Sequence, residues 1–330
     1  MKIQPFIVGS GMSGRAIKKA LMTIGVNESK FTIQPPVQVN RNQAFTSLAV
    51  DSGLSLLCIG SPHGLHTPQI LAAQEAGFKH VISDKPAAIS IEQLNKLKTV
   101  NLEIAILHGF RQMWGPQKVR EIIQDGKLGE LISIEGIYWQ SSAAENAIDP
   151  STRPDKEWKS DPQLAGSYDV YLDLGTHWVD LMMFLAGENA NSARRWISYA
   201  NAISDKRDTH VHLYLEFPNC RSVGSVSKTV HGGNVLKFSV IGTRGTVSWS
   251  AYDNPDQVEF SSGNSTTVIR RIPGRYGSQQ PSFHGMGWVE GYIEIIHNYL
   301  LRMTENAEPN FPTLAENINV LELMLTASEL

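Results

Sequence analysis

The amino-acid sequence predicts an α/β protein, with an N-terminal Rossmann-type parallel sheet followed by a C-terminal α+β domain that has a large, mostly antiparallel sheet. In the first third of the chain, short apolar runs alternate with amphipathic stretches of about ten residues, which is typical of parallel strands joined by crossover helices. A glycine-rich turn directly follows the first apolar run. From about residue 130 onward, polar and apolar residues alternate between short turns, which indicates antiparallel strands with one solvent-exposed face.

The elements of the first domain, residues 1–118, follow from these patterns in order. Each apolar run is interpreted as a strand, and each amphipathic stretch after it as a helix that ends near a glycine or a polar turn. The predicted strands are QPFIVG, LSLLCIG, HVIS and EIAILHGF. The predicted helices are GRAIKKALMTIG, HTPQILAAQEAG and SIEQLNKLKTV.

The second domain, residues 119–330, is predicted to contain a run of strands and two long closing helices. Many of the strand segments alternate polar with apolar residues, so one face of the sheet is expected to be buried. The predicted strands are ELISIEGIYWQ, RRWISYANAIS, HVHLYLEF, RSVGSVSKTV, VLKFSVIG, GTVSWSAY, QVEFSS and TTVIRRI. The predicted helices are WVEGYIEIIHNYLLRM and LAENINVLELMLTASEL.

The composition, with 42% hydrophobic and 18% charged residues, is that of an ordinary soluble globular protein. A formal net charge of -3 gives no electrostatic reason to expect a nucleic-acid partner or an anionic membrane surface. The N-terminal apolar run is too short for a signal peptide, and no run of about 18 apolar residues could span a bilayer. Two cysteines, Cys58 and Cys220, do not make a disulfide framework. We therefore expect a cytoplasmic, reducing location.

The first chemical motif is Gly9-x-Gly11-x-x-Gly14, which follows a predicted strand and opens a predicted helix. A dinucleotide needs a tight turn there, backbone without side chains beside the pyrophosphate, and helix N–H groups directed at negative charge. The motif predicts a nucleotide site that includes Met12 and Ser13 of the same turn. The alternative is a plain tight turn.

The expected partner of such a motif is an acid about 20 residues further on, which binds the ribose hydroxyls of NAD. The nearest strand end instead carries Asn40 and Arg41, with no acid. An arginine there could hold a 2′-phosphate, so NADP is slightly favoured over NAD. The alternative places Arg41 on a solvated loop. The segment between the first and second long strands is also short, which predicts an abbreviated adenosine site.

Two further strand ends are predicted to lie on the ligand edge of the sheet. The first breaks into Ser61-Pro62-His63, with His66 at the start of the next helix. Pro62 could shape the loop against the nicotinamide half of the cofactor. His63 and His66 could instead be polar residues that cap the helix, and this alternative is favoured for His66.

The second strand end carries the triplet Asp84-Lys85-Pro86. A single lysine is usually a solvated side chain. At the carboxyl end of a buried strand, on the same edge as Gly11, Lys85 can instead donate to a substrate hydroxyl and stabilise a developing alkoxide. Burial would lower its pKa toward a useful range for acid–base chemistry.

The last motif places Asp173 and His177 four residues apart at the start of an amphipathic helix, so that they share a face. A carboxylate beside an imidazole fixes its tautomer and raises its basicity, which suits deprotonation of a hydroxyl. One alternative is a buried histidine in a core helix. Another is a metal pair, although two ligands without a third at a known spacing are weak evidence.

These motifs, in this order, resemble those of the Gfo/Idh/MocA oxidoreductases, the group typified by glucose–fructose oxidoreductase and myo-inositol dehydrogenases. The resemblance runs along nearly the whole chain. The segments that carry it are GSGMSG, LLCIGSPHGLHTPQILAAQEAGFKHVISDKPAAIS, GKLGELISIEGIYWQ, WKSDPQLAGSYDVYLDLGTHWVDLMMFLAG and EPNFPTLAENINVLELM. The motif lysine, aspartate and histidine of the family fall on Lys85, Asp173 and His177.

The resemblance implies hydride transfer between a nicotinamide cofactor, NAD(P), and a carbinol carbon of a sugar, sugar derivative or cyclitol. It also implies a homodimer or homotetramer formed through the C-terminal sheet. Two positions depart from the family pattern: Asp84 replaces the usual glutamate, and Gly166-Ser167 replaces a glycine pair. Neither departure removes a group that the chemistry requires.

From the residues and the resemblance together, we hypothesise that the alcohol oxygen lies between Lys85 and His177. His177 takes the hydroxyl proton as hydride leaves, Asp173 orients the imidazole or binds a neighbouring hydroxyl, and Lys85 offsets the growing negative charge. Asp84 and Lys85 are also expected to border the cofactor. Aromatic and polar residues suit a polyol, and the predicted substrate contacts are Arg111, Trp114, Tyr138, Trp158 and Tyr171.

Two other function classes remain open. The chain could be a nicotinamide-binding regulator that keeps the fold without turnover, although the presence of both Lys85 and His177 argues against this. It could also be a glycosidase on this fold that oxidises its substrate transiently and recycles NAD.

Overall fold

The computed structural model describes residues 2–51, 54–149, 151, 158–200, 207–272 and 288–330. The chain forms two compact units. The first unit contains Met1–Gln112, Trp158–Gly166 and Trp288–Glu322. The second unit contains Met113–Glu157, Ser167–Gly287 and Leu323–Leu330.

The strands form two sheets, one in each unit, which confirms the predicted fold class. In the first unit the strands are β1 (Lys2–Val8), β2 (Thr32–Ile33), β3 (Val37–Val39), β4 (Ser55–Ile59), β5 (His80–Ser83) and β6 (Glu103–Ile106). In the second unit they are β7 (Leu131–Trp139), β8 (Ser192–Ser198), β9 (His210–Glu216), β10 (Arg221–Ser227), β11 (Val235–Gly242), β12 (Thr246–Ser250), β13 (Gln257–Ser262), β14 (Ser265–Arg270) and β15 (Ser328–Glu329).

Nine α-helices occur within the described residues. They are α1 (Met12–Asn27), α2 (His66–Glu75), α3 (Ile91–Leu97), α4 (Trp114–Gln124), α5 (Ser142–Ile148), α6 (Pro162–Ala165), α7 (Thr176–Ala186), α8 (Trp288–Glu305) and α9 (Leu314–Leu325). None of the helices in the described part of the chain is both long and apolar enough to cross a membrane.

The sheet of the first unit is parallel throughout, with strand order β2-β1-β4-β5-β6 and β3 also paired to β1. Every residue of β4 is buried, as expected for a central strand covered on both faces. Between β3 and β4 the described chain forms only a short 3-10 turn, Phe45–Ser47. The second crossover is therefore abbreviated. Ser90 caps α3, because its hydroxyl accepts the N–H of Gln93 at 3.2 Å.

The first unit also includes α8, which the sequence assigned to the second domain. Tyr299 of this helix explains the difference: its hydroxyl accepts the N–H of Val81 at 3.0 Å and donates to the carbonyl oxygen of Glu103 at 2.7 Å. A Cβ on Gly291 would lie 2.1 Å from the carbonyl oxygen of Gly109, so the helix packs closely against that turn. The first unit is thus assembled from three separate stretches of the chain, and the domain boundary at residues 118/119 stays a prediction.

The sheet of the second unit has the order β14-β13-β12-β11-β7-β10-β9-β8-β15. It is antiparallel except for the pairs β7–β10 and β8–β15. Its inner face packs on α7, where the indole N–H of Trp178 donates to the carbonyl oxygen of Gly136 at 3.1 Å. A Cβ on Gly224 would lie 1.8 Å from that same oxygen, so only glycine fits on β10 at this crossing.

Candidate active site

The glycine motif lies in the turn between β1 and α1, as predicted. Gly9 has a φ of +98°, a region that favours glycine. A Cβ on Gly14 would lie 2.1 Å from the carbonyl oxygen of Gly9, so α1 can approach the turn only without a side chain there. A Cβ on Gly11 would meet no atom within 4 Å. Gly9 is thus favoured by its backbone conformation and Gly14 by close packing, whereas Gly11 faces open space.

The open space at Gly11 fits the pyrophosphate of a dinucleotide. The first turn of α1 contains no acidic residue, and no side chain caps its N–H groups. The positive end of the helix dipole is therefore available to an anion. Met12 is exposed in this turn, and the buried hydroxyl of Ser13 has no hydrogen-bond partner among the described residues. These features support a nucleotide-binding role for the turn.

Asn40 and Arg41 directly follow β3, whose last residue, Val39, pairs with Val8 of β1. The structure therefore places them beside the glycine turn. The side chain of Asn40 accepts the N–H of Asn42 at 3.0 Å, which fixes the turn, and Arg41 is exposed. No acid stands at this strand end, so the feature that usually selects an unphosphorylated ribose is missing.

The next strand end, after β4, carries Ser61, Pro62, His63 and His66. The hydroxyl of Ser61 donates to Gln69 at 2.7 Å. His66 is fully buried, and its two ring nitrogens lie 2.8 Å from the carbonyl oxygens of Pro86 and Ser61. Burial lowers its pKa, against the opposing effect of the Asp84 carboxylate.

His66 therefore ties two loops together, which supports its structural reading rather than a direct contact with the cofactor. His63 is also buried, and its ring packs edge-to-face on Trp158 with the centroids 4.9 Å apart. Pro62 is half-buried at the start of the 3-10 turn His63–Leu65. Pro62 and His63 stay predicted cofactor contacts.

Lys85 lies directly after β5, and the residue is only 6% exposed. The peptide bond to Pro86 is cis. Asp84 accepts the N–H of Lys85 and the hydroxyl of Tyr292 through the same carboxylate oxygen, each at 2.9 Å. Because β1, β4 and β5 are consecutive neighbours in a parallel sheet, Gly11, Ser61 and Lys85 belong to one edge of the first unit.

The first unit also contains an ion pair and a buried histidine that interact with the Lys85 region. Arg111 is buried and forms an ion pair with Glu316 at 2.8 Å. Burial raises the pKa of Glu316, but the guanidinium outweighs this effect and holds the pKa below its usual range. His108 lies 2.8 Å from the side-chain nitrogen of Asn317. Its pKa is held well below the usual value, first by burial and then by the positive charges of Arg111 and Lys85.

In the second unit, the Asp173 and His177 motif spans two kinds of helix. Asp173 lies in a π-helical turn, Tyr171–Gly175, and His177 lies in the first turn of α7. The carboxylate of Asp208 accepts the backbone N–H groups of Asp169 and Tyr171, which anchors the segment that leads into this turn. π-Helical turns are rare and occur often at functional sites.

The sequence reasoning missed Lys228, which follows β10. Its ammonium pairs with Asp169 at 2.5 Å and with Asp173 at 2.8 Å, and its side chain is 3% exposed. Burial alone would lower the pKa of Lys228, but the two carboxylates outweigh it and raise that pKa above the usual value. Lys228 therefore stays positively charged at neutral pH.

One sequence signal could have drawn attention to this cluster. Asp169 precedes Asp173 by the same four-residue spacing that separates Asp173 from His177. Three polar residues at that spacing in an otherwise apolar segment predict a polar face. Nothing in the sequence, however, identifies Lys228 as the cation that faces it.

The remaining predicted substrate contacts have different environments. The ring of Tyr138 is buried edge-to-face beside His177, with centroids 6.1 Å apart, and its hydroxyl accepts the side-chain N–H of Gln140. Burial raises the pKa of Tyr138 well above its usual value. Trp114, the first residue of α4, and Trp158, in the first unit, are both half-buried. These three stay predicted contacts.

Tyr171 is different, and we remove it from the predicted substrate contacts. Its side chain is fully buried, and its hydroxyl donates to the carbonyl oxygen of Met324 at 2.6 Å. The guanidinium of Arg195 lies over its ring, 4.6 Å from the centroid. Burial raises the pKa of Tyr171 to about 12. These contacts make it a core residue.

The metal alternative for Asp173 and His177 finds no support in the described ranges, in which no group of three or more His, Cys, Asp or Glu side chains is placed to hold an ion. Each unit thus contributes its own set of polar groups. The first unit brings together the glycine turn, Ser61, Pro62 and the Asp84-Lys85 pair. The second brings together Tyr138, Asp173 and Lys228, with His177 one turn further along.

A parallel sheet with this glycine turn, in a chain that also carries the Asp/His helix, defines the class of nicotinamide-nucleotide-binding oxidoreductases. The family model described as "Oxidoreductase family, NAD-binding Rossmann fold" matches residues 6–103, and the "GFO/IDH/MocA C-terminal domain" model matches residues 117–248. The chain therefore belongs to the GFO/IDH/MocA family, as the motifs had indicated, and it is an NAD-binding dehydrogenase or reductase.

Individual relatives agree with this assignment. Levoglucosan dehydrogenase of Pseudarthrobacter phenanthrenivorans is 28% identical over 318 residues, which cover 85% of this chain and 79% of that protein. D-xylose 1-dehydrogenase (NADP(+)) of Hypocrea jecorina is 24% identical over 268 residues, which cover 74% and 66%. A solved levoglucosan dehydrogenase, in complex with NADH and levoglucosan, has a TM-score of 0.81 at 19% identity and covers 98% of this chain and 95% of that one.

Proposed function

We propose that the chain oxidises a carbinol carbon of a sugar, sugar derivative or cyclitol, or reduces the corresponding carbonyl, with NAD(P). The observation that carries the proposal is the position of Lys85, a buried cation on the same sheet edge as the glycine turn. The names of two relatives, a levoglucosan dehydrogenase and a D-xylose 1-dehydrogenase, support a carbohydrate substrate.

In the proposed reaction, the nicotinamide ring supplies the hydride acceptor for oxidation or the hydride donor for reduction. His177 removes the proton of the substrate hydroxyl in the oxidative direction and returns it as the acid in the reverse direction. The ammonium of Lys85 donates to the substrate oxygen and stabilises its negative charge. Asp173 orients the imidazole of His177 or binds a neighbouring hydroxyl. Arg111, Trp114, Tyr138 and Trp158 are the proposed substrate contacts.

For the cofactor, we propose a preference for NADP over NAD. The exposed guanidinium of Arg41 and the absence of an acid at the end of β3 support this choice. A guanidinium pairs well with a phosphate, whereas a carboxylate at this position would repel it.

We also propose that the chain forms a homodimer or homotetramer through the outer face of the second sheet. Trp196 on β8 is 58% exposed on that face, and its indole stacks on the ring of His212 from β9 with centroids 5.7 Å apart. A large exposed aromatic side chain on a flat sheet is typical of an interface. Light scattering of the wild type and of Trp196→Lys tests the assembly, and a monomeric wild type would contradict it.

The function itself is tested with a panel of polyols, sugars and cyclitols, monitored by nicotinamide absorbance. We expect turnover by the wild type, and a loss of about 100-fold or more for Lys85→Ala and for His177→Ala, because each removes a group that acts on the reacting oxygen. Lys98→Ala is the matched control, because this partly exposed lysine pairs with Glu322 away from the ligand edge.

Cofactor titration by fluorescence should show that both catalytic variants still bind the nucleotide. Binding without turnover of any panel member by the wild type would favour a non-catalytic regulator. Release of aglycone from a glycoside without net nicotinamide reduction would favour an NAD-recycling glycosidase. Either result overturns the proposal.

A further inference from the structure

The ion pairs of Lys228 place a fixed positive charge beside a proposed catalytic carboxylate. The ammonium contacts Oδ2 of Asp173 at 2.8 Å and Oδ1 of Asp169 at 2.5 Å. Both carboxylates are mostly buried, with side-chain exposures of 14% and 19%. A carboxylate is costly to bury without a compensating charge, so the cation favours the ionised form of both aspartates.

Backbone hydrogen bonds fix the main chain of Lys228 on two sides. The backbone N–H of Lys228 donates to the carbonyl oxygen of Thr209, and the backbone carbonyl oxygen of Lys228 accepts the N–H groups of Ala143 and Ala144. Thr209 directly follows Asp208, whose carboxylate anchors the segment before the π-helical turn. The end of β10 and the turn that carries Asp173 are thus joined through both side chains and backbone.

We infer that Lys228 is a positioning residue for the proposed reaction: it holds Asp173 ionised and in one orientation on the segment that carries His177. The inference rests on the proposed function, because it assigns a task to the same Asp173 and His177. Lys228 acts through Asp173 and has no contact of its own with the reacting atoms in this assignment. Lys228 is therefore a second lysine with a role in the proposed reaction: it positions Asp173, whereas Lys85 donates to the substrate oxygen.

A positioning role has consequences that a purely structural ion pair lacks. The charged groups that face this cluster are Asp169, Asp173 and Asp208, with the phenol of Tyr138 nearby in charge interaction with Asp173. Removal of the ammonium takes one positive charge away from these anions. The added negative charge favours the protonated form of a nearby imidazole, so the pKa of His177 should rise.

The first test is Lys228→Met, assayed on a substrate found with the wild type. We expect the turnover number to fall by about tenfold or more, a part of the roughly 10²–10⁴-fold that a positioned acid–base group contributes. The pH at which activity declines on the acidic side should move upward, with nucleotide affinity unchanged. The matched control is Lys98→Met, which removes a partly exposed lysine that pairs with Glu322 and should change none of these values.

The double variant Lys228→Met with Asp169→Asn removes one positive and one negative charge, so the net charge of the cluster is that of the wild type. It therefore tests the role of Lys228 even if the single variant folds poorly. If Lys228 positions Asp173, this variant folds and its acidic limb returns toward that of the wild type, but its turnover number stays low. If Lys228 serves only to balance charge, the turnover number recovers as well, and that recovery overturns the inference. Wild-type turnover in the folded single variant overturns it too.

The imidazole resonances of His177, assigned by their loss in His177→Gln, provide a readout that needs no turnover. Suppose that the pKa of His177 rises in Lys228→Met but the wild type turns over no substrate. The electrostatic effect of Lys228 on His177 would then stand, and the proposed function would be rejected. An active wild type, with no pKa change and no loss of turnover in Lys228→Met, would reject the inference alone.

Discussion

The hydroxyl of Tyr292 donates a 2.9 Å hydrogen bond to the carboxylate of Asp84, across 208 positions of the chain. The same oxygen atom accepts the N–H of Lys85. Asp84 stands where the sequence resemblance implied a glutamate, and its shorter side chain binds the backbone N–H of the very next residue. A carboxylate that accepts two donors fixes the loop from which the Lys85 side chain projects.

Substitutions in the glycine turn should separate the effect of glycine on protein stability from its effect on nucleotide binding. Gly11→Ala should leave the thermal midpoint unchanged, because the new methyl group meets no protein atom, yet weaken nucleotide binding by about tenfold or more, because it occupies the space proposed for the pyrophosphate. Gly14→Ala should instead destabilise the protein by about 1–3 kcal/mol through its clash with Gly9. Calorimetry and fluorescence titration measure the two effects.

Gly25→Ala is the control within the same helix, since its Cβ would lie 3.4 Å from Ile33, an ordinary contact. It should not weaken nucleotide binding. Unchanged nucleotide affinity in Gly11→Ala would remove the pyrophosphate from this turn.

The strand end after β3 predicts the cofactor preference. Arg41→Ala should weaken NADPH binding by about tenfold or more and leave NADH binding nearly unchanged, because only NADPH carries the 2′-phosphate. Asn40→Asp should shift the preference toward NADH, because a carboxylate binds the ribose hydroxyls and repels the phosphate. Dissociation constants for both nucleotides provide the measurement. Lys2→Ala, at the amino end of β1, is the charge-matched control. Equal losses for the two nucleotides in Arg41→Ala would refute the preference.

His108 predicts a specific sensitivity to acid. Burial, Arg111 and Lys85 hold its pKa well below the ordinary value, so the folded protein keeps the ring neutral while the unfolded chain binds a proton below about pH 6.5. The free energy of unfolding should therefore fall as the pH drops from 7.5 to 5.5, by on the order of 1 kcal/mol from this group. In His108→Gln that part of the decline should disappear in urea titrations.

Three other histidines with lowered pKa values, His66, His80 and His210, contribute to the acid sensitivity of both proteins. The comparison therefore concerns the difference between the two pH curves. His231→Gln, at an exposed position, should follow the wild-type curve. Parallel curves for His108→Gln and the wild type would contradict the assignment.

Substitutions of Tyr171 and Tyr138 distinguish a core residue from a predicted substrate contact. Tyr171→Phe removes the phenol donor from the carbonyl oxygen of Met324, which keeps only the 3.3 Å bond from the N–H of Ala327, and should cost about 1 kcal/mol of stability, with the KM for substrate unchanged. Tyr138→Phe, beside His177, should change kcat or KM. Urea denaturation and steady-state kinetics give the two readouts. An altered KM in Tyr171→Phe would return this residue to the substrate contacts.

Local patterns in the sequence were sufficient to predict the glycine turn, the strand before Lys85 and the position of Asp173 just before α7. Each depends on residues that are close in the chain, where periodicity and turn chemistry act. The ion pair of Lys228 with Asp173 and the return of α8 to the first unit depend on contacts between distant segments. Apolar spacing shows that α8 has a buried face, but it cannot show which sheet covers that face. The π-helical turn at Asp173 likewise has no signature in the apolar pattern.

The alternation of segments has a consequence for biosynthesis. Tyr299 bonds to the backbone of β5 and β6, and the first unit takes in residues as late as Glu322. A nascent polypeptide that has emerged only as far as the end of β6 therefore lacks a helix that its core needs, even though all six strands of that sheet have been translated. Nearly the whole chain must therefore be translated before the first unit is complete, and the sheet of the second unit also waits for its last strand, β15, which pairs with β8.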